Sequence, residues 1–198
     1  MLAVLLAAVV CVACSDPPDY SLDACDYSAP APATFALLFD GSCDAEMEAA
    51  TLEAAAIWNA ALDEPAFILD AEPTPWHVRA WHEVQVSCYS AHPQCEADRE
   101  WSDGESFGAL AWAYSPTKGL GDSEVGFCTA NLDNHQSVDL SHVAAHELGH
   151  VLGLDHQPDG VMCPASECPA QHRFAPAIDC TTIDALSAQL PPQDMLGG

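Results

Sequence analysis

Residues 146–156 read H-E-L-G-H-V-L-G-L-D-H, and the types and spacing in this stretch point to metal chemistry. His146 and His150 are four apart, which on a helix leaves them about 40° apart around the axis and about 6 Å apart along it. Both imidazoles can then reach one Zn2+ at about 2.0–2.1 Å. His156 could not join them on a continuing helix, where it would lie about 15 Å from His146. The chain must turn in between, and Gly153 stands where a helix end calls for a residue at positive φ. Three neutral histidines leave a fourth position for water, the open arrangement of a catalytic zinc rather than a structural one. Glu147 follows the first ligand and can take a proton from that water without being a ligand itself. The predicted chemistry is peptide hydrolysis at one zinc, with Glu147 passing the proton to the leaving amine.

These residues need a helix ending near Leu152 and elements to brace it. The sequence predicts that helix from about Ser141 to Leu152, and an earlier, longer one from Asp44 to Leu62 with an apolar face that includes Met47, Ala54, Ala55 and Trp58. Acidic residues in the first turn of the long helix favour its macrodipole. Strands are expected at Thr34–Phe39, from Phe67 to Leu69, within Val78–Tyr89, at Ala109–Tyr114 and at Glu124–Cys128. Residues 90–104 read as a loop, and a final helix runs from about Thr181 to Leu190, where Pro191-Pro192 stops it. Strands followed by a site-bearing helix give an α+β domain over residues 34–190, with a tail at 191–198.

The chain has 198 residues, 49% of them hydrophobic, enough for one domain with its own core. Thirty acidic residues face four basic ones, for a formal net charge of -26. Nucleic-acid binding needs clustered Lys and Arg, so that class is excluded. Residues 1–13 form most of a short apolar run, too short for a bilayer and suited to a signal peptide. Ala13-Cys14 resembles a lipoprotein junction, which makes Cys14 a candidate lipidation site, residues 14–33 a lipid anchor and flexible tether, and the protein exported, either envelope-anchored or secreted. Eight cysteines follow (Cys25, Cys43, Cys88, Cys95, Cys128, Cys163, Cys168 and Cys180), none in a C-x-x-C pattern. In an exported chain they read as disulfides; the short loops suggest Cys88–Cys95 and Cys163–Cys168.

At the metal stretch, together with G-V-M-C-P at 160–164, the sequence resembles the metzincins and most closely the matrixins, the matrix metalloproteases. V-A-A-H-E-L-G-H at 143–150 is similar to their active-site helix, and Met162 to their Met-turn. L-A-W-A-Y-S-P-T-K-G-L-G-D at 110–122 is similar to their edge strand and the loop after it, which implies that Leu110 and Ala111 pair with extended protein or peptide substrate. The resemblance implies a zincin-like fold: a twisted five-stranded mixed sheet with one antiparallel edge strand, long helices, and a small disulfide-rich C-terminal subdomain. Trp112 and Gly126 stand where matrixins place ligands of a second, structural zinc, so one zinc per chain is expected. A monomer is expected.

Other features carry less. The acidic stretch 96–105 lacks a fixed Ca2+ ligand pattern and reads as a solvated loop, so Ca2+ has no support. Cys25 reads as a disulfide partner rather than a latent zinc ligand. His142, one turn before His146, is a candidate neighbour of the site. The alternative to an enzyme is a catalytically inactive, zinc-stabilised surface-binding lipoprotein, and the intact Glu147 is the feature that argues against it.

Overall fold

The computed structural model describes residues 25–69, 83–96, 99–100, 106–107, 109–114, 123–134, 139–164 and 178–189. In chain order the elements are β1 (Phe35–Phe39), α1 (Ala45–Ala61), β2 (Phe67–Ile68), β3 (Glu83–Tyr89), β4 (Arg99–Glu100) and β5 (Ser106–Phe107). They continue with β6 (Ala111–Tyr114), β7 (Ser123–Cys128), α2 (Thr129–Asn134), α3 (Leu140–Val151) and α4 (Cys180–Gln189). Five strands make one sheet in the order β2-β1-β3-β7-β6. The pairings β1–β2, β1–β3 and β3–β7 are parallel, and β6 runs antiparallel to β7 at the edge. This is the α+β arrangement that the sequence implied.

Helix α1 begins where the Asp44 carboxylate accepts the Met47 N–H at 2.9 Å, a side-chain N-cap that satisfies one orphan donor. Its buried face of Met47, Ala50, Thr51, Ala54, Ala55 and Trp58 packs on α3. Ala54, Ala55, Ala144 and Ala145 are all fully buried, and such small side chains let the two helices approach closely. The apolar core continues through Phe35, Leu37, Val84, Val86, Val125 and Phe127 of the central strands.

Three departures from the sequence reading stand out. The stretch read as a loop contains the two-residue strand β4, which pairs antiparallel with β5 just beyond it, and both are too short to leave a periodicity. The short helix α2 was not expected at all. The guess Cys88–Cys95 is wrong: Cys88 bonds Cys43, Cys95 bonds Cys128, and Cys25 bonds Cys180. Neighbours in sequence lost to neighbours in space, because Cys88 and Cys128 end adjacent parallel strands and each meets a different loop. Cys163 is disulfide-bonded too, while its suggested partner Cys168 lies outside the described residues.

The segment read as tether is fastened from Cys25 onward. Besides the disulfide to α4, Ala29 bridges to Leu62 and is 1% exposed. The Asp63 N–H donates to the Ala29 carbonyl at 2.9 Å. Cys14 and the apolar run before it lie outside the described residues, as do the loop at 115–122 and most of the acidic stretch 96–105. No helix among the described residues is long and apolar enough to cross a membrane.

Candidate metal centre

The centre is built on α3. Asp139 opens it, its carboxylate accepting the N–H of Ser141 at 2.8 Å and of His142 at 3.4 Å. The helix closes on Gly153, which takes φ +97° as the spacing required. There the Gly153 N–H donates to the His150 carbonyl and the Leu154 N–H to the Gly149 carbonyl, both at 3.0 Å. That pair of bonds is a Schellman ending, which satisfies the last carbonyls while reversing the chain.

The reversal brings His156 back to His146 and His150. Ring centroids are 4.8 Å apart for His146–His150, 5.1 Å for His146–His156 and 4.8 Å for His150–His156. One nitrogen from each ring lies within 4.8 Å of the others. Two of the rings are fixed from behind: His146 Nδ1 meets the Val161 carbonyl at 2.8 Å, and His150 Nδ1 meets the Leu154 carbonyl at 2.7 Å. A carbonyl only accepts, so both Nδ1 atoms carry the proton and both Nε2 lone pairs are left for a metal. Burial, and after it the neighbouring His150, hold the His146 pKa well below the usual histidine value, against the opposing bond to Val161. Three gathered imidazoles, two of them oriented from behind, are a donor set that suits Zn2+.

Glu147 is 6% exposed on the same helix and contributes no atom to the three-nitrogen cluster. Met162 is fully buried, and its carbonyl accepts the N–H of Gln157, the residue after His156, at 3.0 Å. Gly160, at φ +75°, starts the turn that presents the Val161 carbonyl. His142 is buried one turn before His146, and its charge also disfavours protonation of His146. The carbonyls of Val161 and Leu154 were missed from sequence, since backbone acceptors leave no residue signature. The Asp139 cap was legible as an Asp before an apolar helical run, and it too was missed.

At the sheet edge the two residues expected to meet substrate differ. The Leu110 carbonyl already accepts the Cys128 N–H at 2.9 Å, so it faces β7. Pairs in an antiparallel ladder alternate, and Ala111 and Ala113, opposite Phe127 and Val125, turn their backbone groups to the open edge. Between them Trp112 lies opposite Gly126, and its indole covers the glycine with Nε1 2.8 Å from where a Cβ would stand. With Trp112 are packed the Cys95–Cys128 disulfide and the rings of Tyr89, His92 and Tyr114. The position read as a vacated metal ligand is thus the centre of an aromatic cluster.

A family model described as Matrixin matches residues 78–187, just over half of the chain. Matrix metalloproteinase-16 of Rattus norvegicus is 46% identical over 74 residues, covering 34% of this chain and 12% of that protein. The Homo sapiens protein of the same name is 46% identical over 69 residues, 31% of this chain and 11% of its own length. Metalloendoproteinase 2-MMP of Arabidopsis thaliana is 41% identical over 75 residues, 31% of this chain and 20% of that protein. The matched stretch is therefore at most a fifth of the length of these relatives.

Proposed function

Because the chain belongs to the matrixin family, we propose that it is a zinc-dependent endopeptidase in which His146, His150 and His156 hold the metal and Glu147 is the general base. The observation that carries this is the imidazole trio, gathered by one helix and its glycine turn, with two Nδ1 atoms engaged by carbonyls. Zinc, when bound, supplies a Lewis acid that polarises a peptide carbonyl and lowers the pKa of water towards about 7.

The chain's own residues do the rest. The bonds to Val161 and Leu154 hold two rings at fixed tilt and keep their Nε2 atoms unprotonated. Glu147 takes the proton from the attacking water at a carboxylate oxygen and delivers it to the leaving amine nitrogen. Its low exposure keeps bulk water from competing for that proton. The open backbone groups of Ala111 and Ala113 support an extended peptide as substrate, added to the sheet as a further strand. The disulfides Cys25–Cys180, Cys43–Cys88 and Cys95–Cys128 support work in an oxidising compartment outside the cytosol.

Glu147→Ala tests the proposal. Peptide cleavage should fall by about 10²–10⁴-fold, the usual worth of general acid–base catalysis, while zinc content and melting temperature stay close to wild type. If the wild type shows no chelator-sensitive cleavage of any peptide library, the enzyme reading fails and the inactive zinc-stabilised binding protein takes its place.

A further inference from the structure

Trp58 is fully buried on α1, and its Nε1–H donates to the Ala145 carbonyl on α3 at 2.9 Å. Ala145 is the residue before His146. In the α3 ladder the same carbonyl is the acceptor for the N–H four residues on, that of Gly149. Gly149 in turn is the residue before His150. A Cβ on Gly149 would come within 3.1 Å of Trp58 Cζ2 and would overlap Met162 Sδ. One indole therefore rests on the two positions that immediately precede the two helical histidines.

Residues 145 and 149 share one face of α3, and residues 146 and 150 sit about 100° further around it. Whatever sets the angle of the first face sets the angle of the second. With side chains about 6 Å from the axis, a 10° rotation of the helix moves a ring by about 1 Å, and sites of this kind tolerate about 0.5 Å. The hydrogen bond fixes the indole along the helix, and the glycine notch fixes it around the helix. Met162, also fully buried, occupies the same notch beside the indole.

We propose that Trp58 is a positioning residue for the metal centre: it indexes the rotation of α3, and through that rotation aims His146 and His150. The inference rests on the zinc reading above, which it deepens. It also gives the α1–α3 packing a role beyond burial, since the contact is made at the two backbone positions next to the ligands.

The test uses the full chain and Trp58→Phe, which keeps a ring for the notch and removes the donor. Ser141→Ala is the control, because it deletes another cross-helix bond between α1 and α3, Ser141 Oγ to Glu53 Oε2 at 2.9 Å. Two readouts are taken where every variant is folded: zinc affinity by competition with a chelator, and the visible absorption of the Co2+-loaded protein, which reports ligand angles. Trp58→Phe should weaken zinc by about 10–100-fold, as loss of outer support does, and should shift the Co2+ bands. Ser141→Ala should leave both as in wild type. Wild-type affinity and bands in Trp58→Phe, with only a lower melting temperature, would make Trp58 an ordinary core residue and overturn the inference. Should Trp58→Phe not fold, Trp58→Met fills the notch with a flexible apolar side chain that carries no donor. Weakened zinc and shifted bands there support the inference, and unchanged values sink it. A wild-type chain that binds neither metal would sink the zinc reading itself, and the inference with it.

Discussion

Removing the Cys25–Cys180 disulfide should cost this protein a large part of its stability. The bond closes a loop of 155 residues. In the chain-entropy relation a closure of that length contributes about 5 kcal/mol at 25 °C. The Cys43–Cys88 and Cys95–Cys128 bonds lie inside that loop and shorten its free path, which lowers the figure to about 4.5 kcal/mol. Domains of this size are typically stable by about 5–15 kcal/mol in total. The double variant Cys25→Ser with Cys180→Ser should therefore melt roughly 9–18 °C lower, at about 2–4 °C for each kcal/mol. The segment it frees also carries the Ala29–Leu62 bridge and the hydrogen bond of Tyr27 to Asp184, so part of the loss is in native packing. Urea unfolding of the non-reduced variant and wild type, with equal slopes, would give the difference directly. A variant within about 1 kcal/mol of wild type would refute the reasoning, because even a short closed loop is worth about 3 kcal/mol in that relation.

Other outcomes follow from the same structure. Gly126→Ala pushes a methyl into the Trp112 indole, which is itself buried, and should cost about 1–3 kcal/mol by overpacking; a denaturant midpoint equal to wild type would contradict that. The depressed pKa of His146 gives a pH dependence of definite sign in the metal-free protein. As pH falls below about 6.5 the unfolded chain takes up a proton that folded His146 refuses, so stability declines on acidification and is flat above that value. Zinc competes with the same proton, so its binding weakens in the same direction. Urea midpoints of chelated protein between pH 7.5 and 5.5 check this, and the slope should shrink in His146→Asn. One zinc per chain is expected, since the Trp112 indole fills the space beside Gly126; two zincs by elemental analysis of dialysed protein would overturn that expectation.

Local geometry made much of the centre legible from the sequence alone. The four-residue step from His146 to His150 fixes two rings on one helix face whatever surrounds it, and Gly153 at φ +97° is the one residue type suited to that turn. The helix Ala45–Ala61 fell within a residue of its reading for the same reason, with a capping Asp44 before a long helical run. Tertiary structure decided whatever depended on which distant segments meet. Cysteine pairing followed the parallel order β1-β3-β7 rather than sequence proximity. The backbone groups of the edge strand that turn away from β7 are those of Ala111 and Ala113, not the Leu110 carbonyl, because the β6–β7 pairing determines which pairs bond inward. The carbonyls behind His146 and His150, and the indole of Trp58 against Ala145, are contacts of backbone atoms or of residues 87 positions apart. A helical repeat specifies where side chains leave their own axis. The angle of that axis to the rest of the molecule is set only by what packs against it.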